Sequence, residues 1–119
     1  MALNAVVFPI LPGKMDEWRA FIGELNGARR AEFAASRERA GAHERTFLQT
    51  TPMGDVVIVT LEADDPGRSF GQIVSATDPF TLWFLEQVKS IHGVDLSAPM
   101  TGSPSELVID TQGVAAPAK

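Results

Sequence analysis

Apolar side chains run through positions 3–10, at Leu3, Ala5, Val6, Val7, Phe8 and Ile10, and their β-branched and aromatic character predicts a buried strand. Pro9 lacks a backbone donor, so the strand is expected to end or bulge there. After the turn residues Leu11-Pro12-Gly13-Lys14 the period changes. Met15, Trp18, Ile22 and Leu25, with Phe21 beside them, recur at helical spacing. Gly23 and Gly27 weaken this run, which predicts a kink or break near Gly27 and a second helical stretch over 28–39, stopped at Gly41. A Gly-x-x-x-Gly spacing signals helix dimers only inside an apolar membrane span, which this segment is not.

Residues 42–50 and 55–63 read as a hairpin around Thr51-Pro52-Met53-Gly54. With that loop, Thr50 pairs with Asp55, and one face holds Leu48 opposite Val57, Thr46 opposite Val59 and Glu44 opposite Leu61. The other face holds Gln49 opposite Val56, Phe47 opposite Ile58, Arg45 opposite Thr60 and His43 opposite Glu62. The first face is mostly apolar and suits helix packing; the second mixes apolar and charged groups and suits a cavity or a wet interface. Strand 55–63 is apolar on both faces, so both should be covered.

Two Asp-Pro steps follow, Asp65-Pro66 and Asp78-Pro79, each with an N-cap acceptor ahead of a proline. They predict a short helix over 67–76 and a longer one with Phe80, Phe84, Val88 and Ile91 on one stripe, Trp83 beside it and Gly93 at its end. Residues 94–104 read as a loop, 106–110 as a last strand and 113–119 as a disordered tail. The expected order is β-α-β-β-α-β in a single α+β domain over 1–112.

The chain has 119 residues, enough for one modest core. Its formal net charge of −5 argues against general nucleic-acid binding. With no cysteine and two histidines, neither a thiolate site nor a zinc site is expected, and no metal or cofactor is called for. The N-terminus lacks the basic region of a signal peptide, and no apolar run approaches the ~20 residues of a membrane helix. The expectation is therefore a cytoplasmic protein without a membrane partner.

Strand, Pro-Gly-Lys turn, helix, hairpin and the Asp78-Pro79-Phe80-x-x-Trp83-Phe84 helix together resemble the ferredoxin-like dimeric α+β barrel superfamily, over about residues 3–110. Its members include antibiotic-biosynthesis-type monooxygenases, haem-degrading monooxygenases and stress-responsive barrel proteins. The resemblance implies a homodimer whose open sheet faces pack together around a cavity. Haem-degrading members carry an asparagine on the first strand and a histidine on the late helix. Asn4 and His92 match these two positions, whereas their tryptophan at the end of the third strand is replaced here by Leu61-Glu62.

The mixed hairpin face gives the sharpest constellation. His43 beside Glu62 suits acid–base work, and Arg45 suits a carboxylate or an oxyanion. Phe47, Gln49, Ile58 and Thr60 would hold the ligand. The same groups also make sense as a cross-strand charge cluster worth about a few tenths of a kcal/mol at an interface rim. His92 alternatively reads as a helix-end or core residue. Arg29, Arg30, Arg37, Arg39 and Arg45, interleaved with Glu32, Glu38 and Glu44, read as a solvated, salt-bridged surface. Trp18, Phe21, Phe80, Trp83 and Phe84 read as core. The leading expectation is a homodimer with a cavity for a small, partly apolar ligand. One alternative is a cofactor-independent monooxygenase or isomerase acting on an aromatic or enolisable substrate, with His43 as base, Glu62 orienting it and Arg45 on the oxyanion. The other is a structural interaction module with a filled interface.

Overall fold

The computed structural model describes residues 2–98 and 105–112. Ala2–Pro9 forms β1, Met15–Asn26 α1, Arg30–Arg39 α2, His43–Thr51 β2, Gly54–Ala63 β3, Pro66–Ser75 α3 and Pro79–His92 α4. The class is α+β, and the order is β-α-α-β-β-α-α.

Local chemistry accounts for the boundaries. A Cβ at Gly27 would lie 2.9 Å from the Gly23 carbonyl oxygen, so only glycine permits the close approach that separates α1 from α2. Asp65 caps α3 by accepting from the Arg68 N–H at 3.1 Å. Asp78 caps α4 twice, from the Thr81 N–H at 3.1 Å and the Thr81 hydroxyl at 2.7 Å. Gly93 closes α4 in the left-handed region, at φ 73°. The hairpin has the register expected from its loop, with Thr50 opposite Asp55 and His43 opposite Glu62.

The three strands form one antiparallel sheet in the order β1-β3-β2. Alternation then sorts the side chains. Val6, Phe8, Leu48, Val57, Val59 and Leu61 meet residues of all four helices in two adjoining apolar clusters centred on Trp18, Phe21, Phe84, Ile91 and Ile73. No helix among the described residues lies over the opposite face: Phe47 is 52% exposed and Val7 60%. A Lys14–Glu17–Ser90 network ties the start of α1 to α4, with the Ser90 hydroxyl donating to Glu17 at 2.5 Å.

The expected last strand does not form. Residues 105–110 are irregular, with Ser105 against β1, and Leu107, Val108 and Ile109 are exposed. Where the segment meets β1 the contacts are made by side chains: the Ala5 N–H donates to the Ser105 hydroxyl at 3.2 Å and to Asn4 Oδ1 at 3.0 Å, and Ser105 also bonds Asn4. Side chains thus occupy an edge donor that a fourth strand would have used. The sheet stays three-stranded, and the full β-α-β-β-α-β order is not reached. The expected tail at 113–119 and most of the 94–104 loop lie outside the described residues.

Candidate functional site

Among the described residues, a mostly apolar pocket lies between the sheet and the helices. A cavity of about 80 Å³ separates the inner sheet face from α1, α3 and α4. One water needs only ~10–15 Å³ on this kind of measure, and a cavity of ~150 Å³ holds benzene, so the space suits a guest smaller than benzene. Its wall is almost wholly apolar, built from residues such as Val6, Val59, Phe70, Val74 and Phe84. Four polar residues interrupt it: Arg37, Glu44, Thr46 and His92.

Glu44 enters because strand alternation points it inward, opposite Leu61. A carboxylate there needs a cation, and α2 supplies Arg37, whose Nε donates to Glu44 Oε1 at 2.7 Å. Both side chains are about nine-tenths buried, at 9% and 10% exposure. The guanidinium carbon lies 4.7 Å from the ring centres of both Phe33 and Phe84, which are 6.2 Å from each other. Its Nη1 donates to the Ser36 hydroxyl at 2.8 Å. The expectation of a solvated arginine surface therefore fails for Arg37. It holds for Arg29, which pairs with the partly exposed Glu24 and Glu32 at 3.7 and 3.3 Å.

His92 closes the far end of the cavity. It is only 5% exposed, and its Nδ1 lies 2.7 Å from the Pro9 carbonyl oxygen. A carbonyl only accepts, so Nδ1 carries the proton and Nε2 keeps a lone pair. Burial pushes the imidazole pKa down, and the bond to Pro9 opposes that only in part.

The sequence-derived site residues fall into two groups. His43, Arg45, Phe47, Gln49, Ile58, Thr60 and Glu62 all lie on the open face, in rows across the sheet. Leu3, Glu62 and His43 form one row, followed by Ala5, Thr60 and Arg45, then Val7, Ile58 and Phe47, then Pro9, Val56 and Gln49. Glu62 Oε1 lies 3.9 Å from His43 Nδ1 and 3.7 Å from Arg45 Nη1, ion-pair distances without a hydrogen bond. In the single chain this face is uncovered, with Phe47 and Val7 more than half exposed. Asn4 and His92 are not brought together. Asn4 lies opposite Leu61 and His92 at Pro9, so about 16 Å of strand separates them.

Sequence reasoning missed the Arg37–Glu44 pair and the cavity it borders. The signal was present in the hairpin register, which put one carboxylate on an otherwise apolar, helix-facing side. Among the described residues, no group of three or more His, Asp or Glu side chains is placed to hold a metal ion. No helix among them is long and apolar enough to cross a membrane. No family model, no curated protein and no solved structure matches this chain.

Proposed function

We propose that this chain binds a small, partly apolar molecule in the cavity between its sheet and its helices, as one subunit of a homodimeric α+β barrel. The observation that carries the reading is the cavity itself: an 80 Å³ space in a core of this size, apolar on nearly every side and bordered by one buried ion pair. Close-packed interiors leave few voids larger than a water molecule. The open face supports the dimer. Its Val7–Ile58–Phe47 row is apolar, Arg45 lies in the row on one side of it, and Glu62 and His43 lie in the row beyond. A face with both charge signs beside an apolar stripe is suited to a second copy of itself.

Native mass spectrometry of the purified protein, followed by denaturation to release any guest, tests both parts. A dimer carrying a defined small molecule is expected, and Phe47→Glu is expected to shift the population to monomer. A wild-type monomer would remove the barrel. A clean dimer that takes up no small apolar probe would remove the binding site.

A second reading places turnover on the open face, with His43 as base, Glu62 orienting it and Arg45 stabilising an oxyanion, in a cofactor-independent monooxygenase or isomerase. The observation in its favour is that the three side chains share two adjacent rows of one face. It requires that His43→Ala abolish activity while leaving the dimer intact.

A further inference from the structure

The segment that fails to extend the sheet leaves three consecutive aliphatic side chains in solvent. Leu107, Val108 and Ile109 are each more than half exposed, between the acids Glu106 and Asp110. The β1 edge of the same chain is closed to them. Side chains hold the Ala5 N–H, the Pro9 carbonyl is bonded to His92, and Pro9 has no donor.

The β2 edge is the opposite case. The hairpin closes on the Thr51–Gly54 pair, so Thr50, Leu48, Thr46 and Glu44 turn their backbone groups away from β3. Among the described residues, none of these outward N–H and C=O groups has a hydrogen-bond partner. Natural edges are protected by lysine, proline, bulges or shortness. β2 has 9 residues in an unbroken register, and its run from Thr46 to Thr51 is uncharged.

Segment and edge are complementary. In antiparallel pairing with Val108 opposite Phe47, Leu107 falls opposite Leu48, Ile109 opposite Thr46 and Asp110 opposite Arg45. Val108 then lies beside Phe47 on the open face. Asp110 meets a guanidinium that stands 3.7 Å from Glu62 without a hydrogen bond. The edge must belong to another chain. Ser105 is held at the outer side of β1, and the outer side of β2 is about 19 Å away across the three strands. Residues 106–110 span roughly 17 Å when extended, so the crossing would use them up. A second copy brings its own β2 edge to the segment.

Resting on the homodimer reading above, we propose that residues 106–110 of each protomer pair as an antiparallel fourth strand with the β2 edge of the other. The dimer is then held by reciprocal strand exchange as well as by its open faces, and two-fold symmetry makes the contact twice.

The chain contains no cysteine, so engineered thiols have no native competitor. Gln49→Cys combined with Glu106→Cys places two thiols at a non-hydrogen-bonded antiparallel pair, where Cα atoms stand about 4.5 Å apart, within disulfide range. Mild oxidation of this double variant is expected to give a covalent dimer on a non-reducing gel, while either single variant stays monomeric there. Ile109→Pro removes a ladder donor from a residue exposed in the single chain. The protomer is expected to stay folded, and the dimer dissociation constant to rise at least about tenfold. A disulfide closed within one chain, or a dimer that neither cross-links nor weakens with Ile109→Pro, would overturn the strand exchange and leave the face-to-face dimer standing. A monomeric wild type would overturn both.

Discussion

Single residues set the character of the interior. His92 is the clearest case, because its surroundings favour the neutral ring. An unfolded chain takes up a proton at this residue near pH 6.5, whereas the folded chain resists until lower pH. The stability involved is therefore fully present above pH 6.5 and is lost as the pH falls from there towards the depressed folded pKa. The loss is at most about 1.4 kcal/mol per pH unit. Urea unfolding at pH 7.5 and 5.5 is expected to show it in the wild type, and His92→Asn is expected to lack this component. Glu17, Asp78 and Asp95 are held below the usual carboxylate range by neighbouring hydroxyl and backbone donors, joined at Glu17 by Lys14, and titrate in a separate, more acidic window. At this scale the sequence was only partly readable. The register set Glu44 opposite Leu61 on the mostly apolar face, yet its charge read as part of a solvated surface. The burial of Arg37 was not readable, because interleaved Glu32 and Glu38 made its segment look uniformly solvated.

Elements were the most legible level, since their limits are set by neighbours in sequence. The break near Gly27, the Asp-Pro starts of α3 and α4 and the Gly93 stop all depend on local geometry. Asp78→Ala removes an acceptor for both the Thr81 N–H and the Thr81 hydroxyl. It is expected to cost about 1 kcal/mol, measured as a lower urea midpoint with unchanged slope. The last strand shows where local reading stops. Glu106-Leu107-Val108-Ile109-Asp110 has strand-like composition, but a ladder needs free donors on the neighbouring edge. Asn4 and Ser105 side chains hold the Ala5 N–H instead.

At the scale of the whole molecule, two sheet faces divide the work. The hairpin pattern revealed that one face would be apolar and the other mixed, and both assignments hold. What it could not reveal is where space would be left. A void is the residue of packing between segments far apart in sequence, here β1, α1, α3 and α4, and no periodicity encodes it. The mixed face, with its His43, Arg45 and Glu62 cluster, drew attention as the cavity wall. In the single chain it is uncovered, while the apolar pocket lies behind the sheet. The proposed dimer and the proposed ligand site consequently use opposite faces, and β3 lies between them.

That division gives the most direct test. Methyl-labelled protein equilibrated with xenon, a small apolar probe, reports which face receives the guest. Perturbations are expected at the cavity-lining Val57, Val59, Leu61, Val74 and Val88. Val7 and Ile58 on the open face are expected to stay unmoved. Shifts confined to Val7, Ile58 and the Phe47 ring would contradict the account and return the site to the open face.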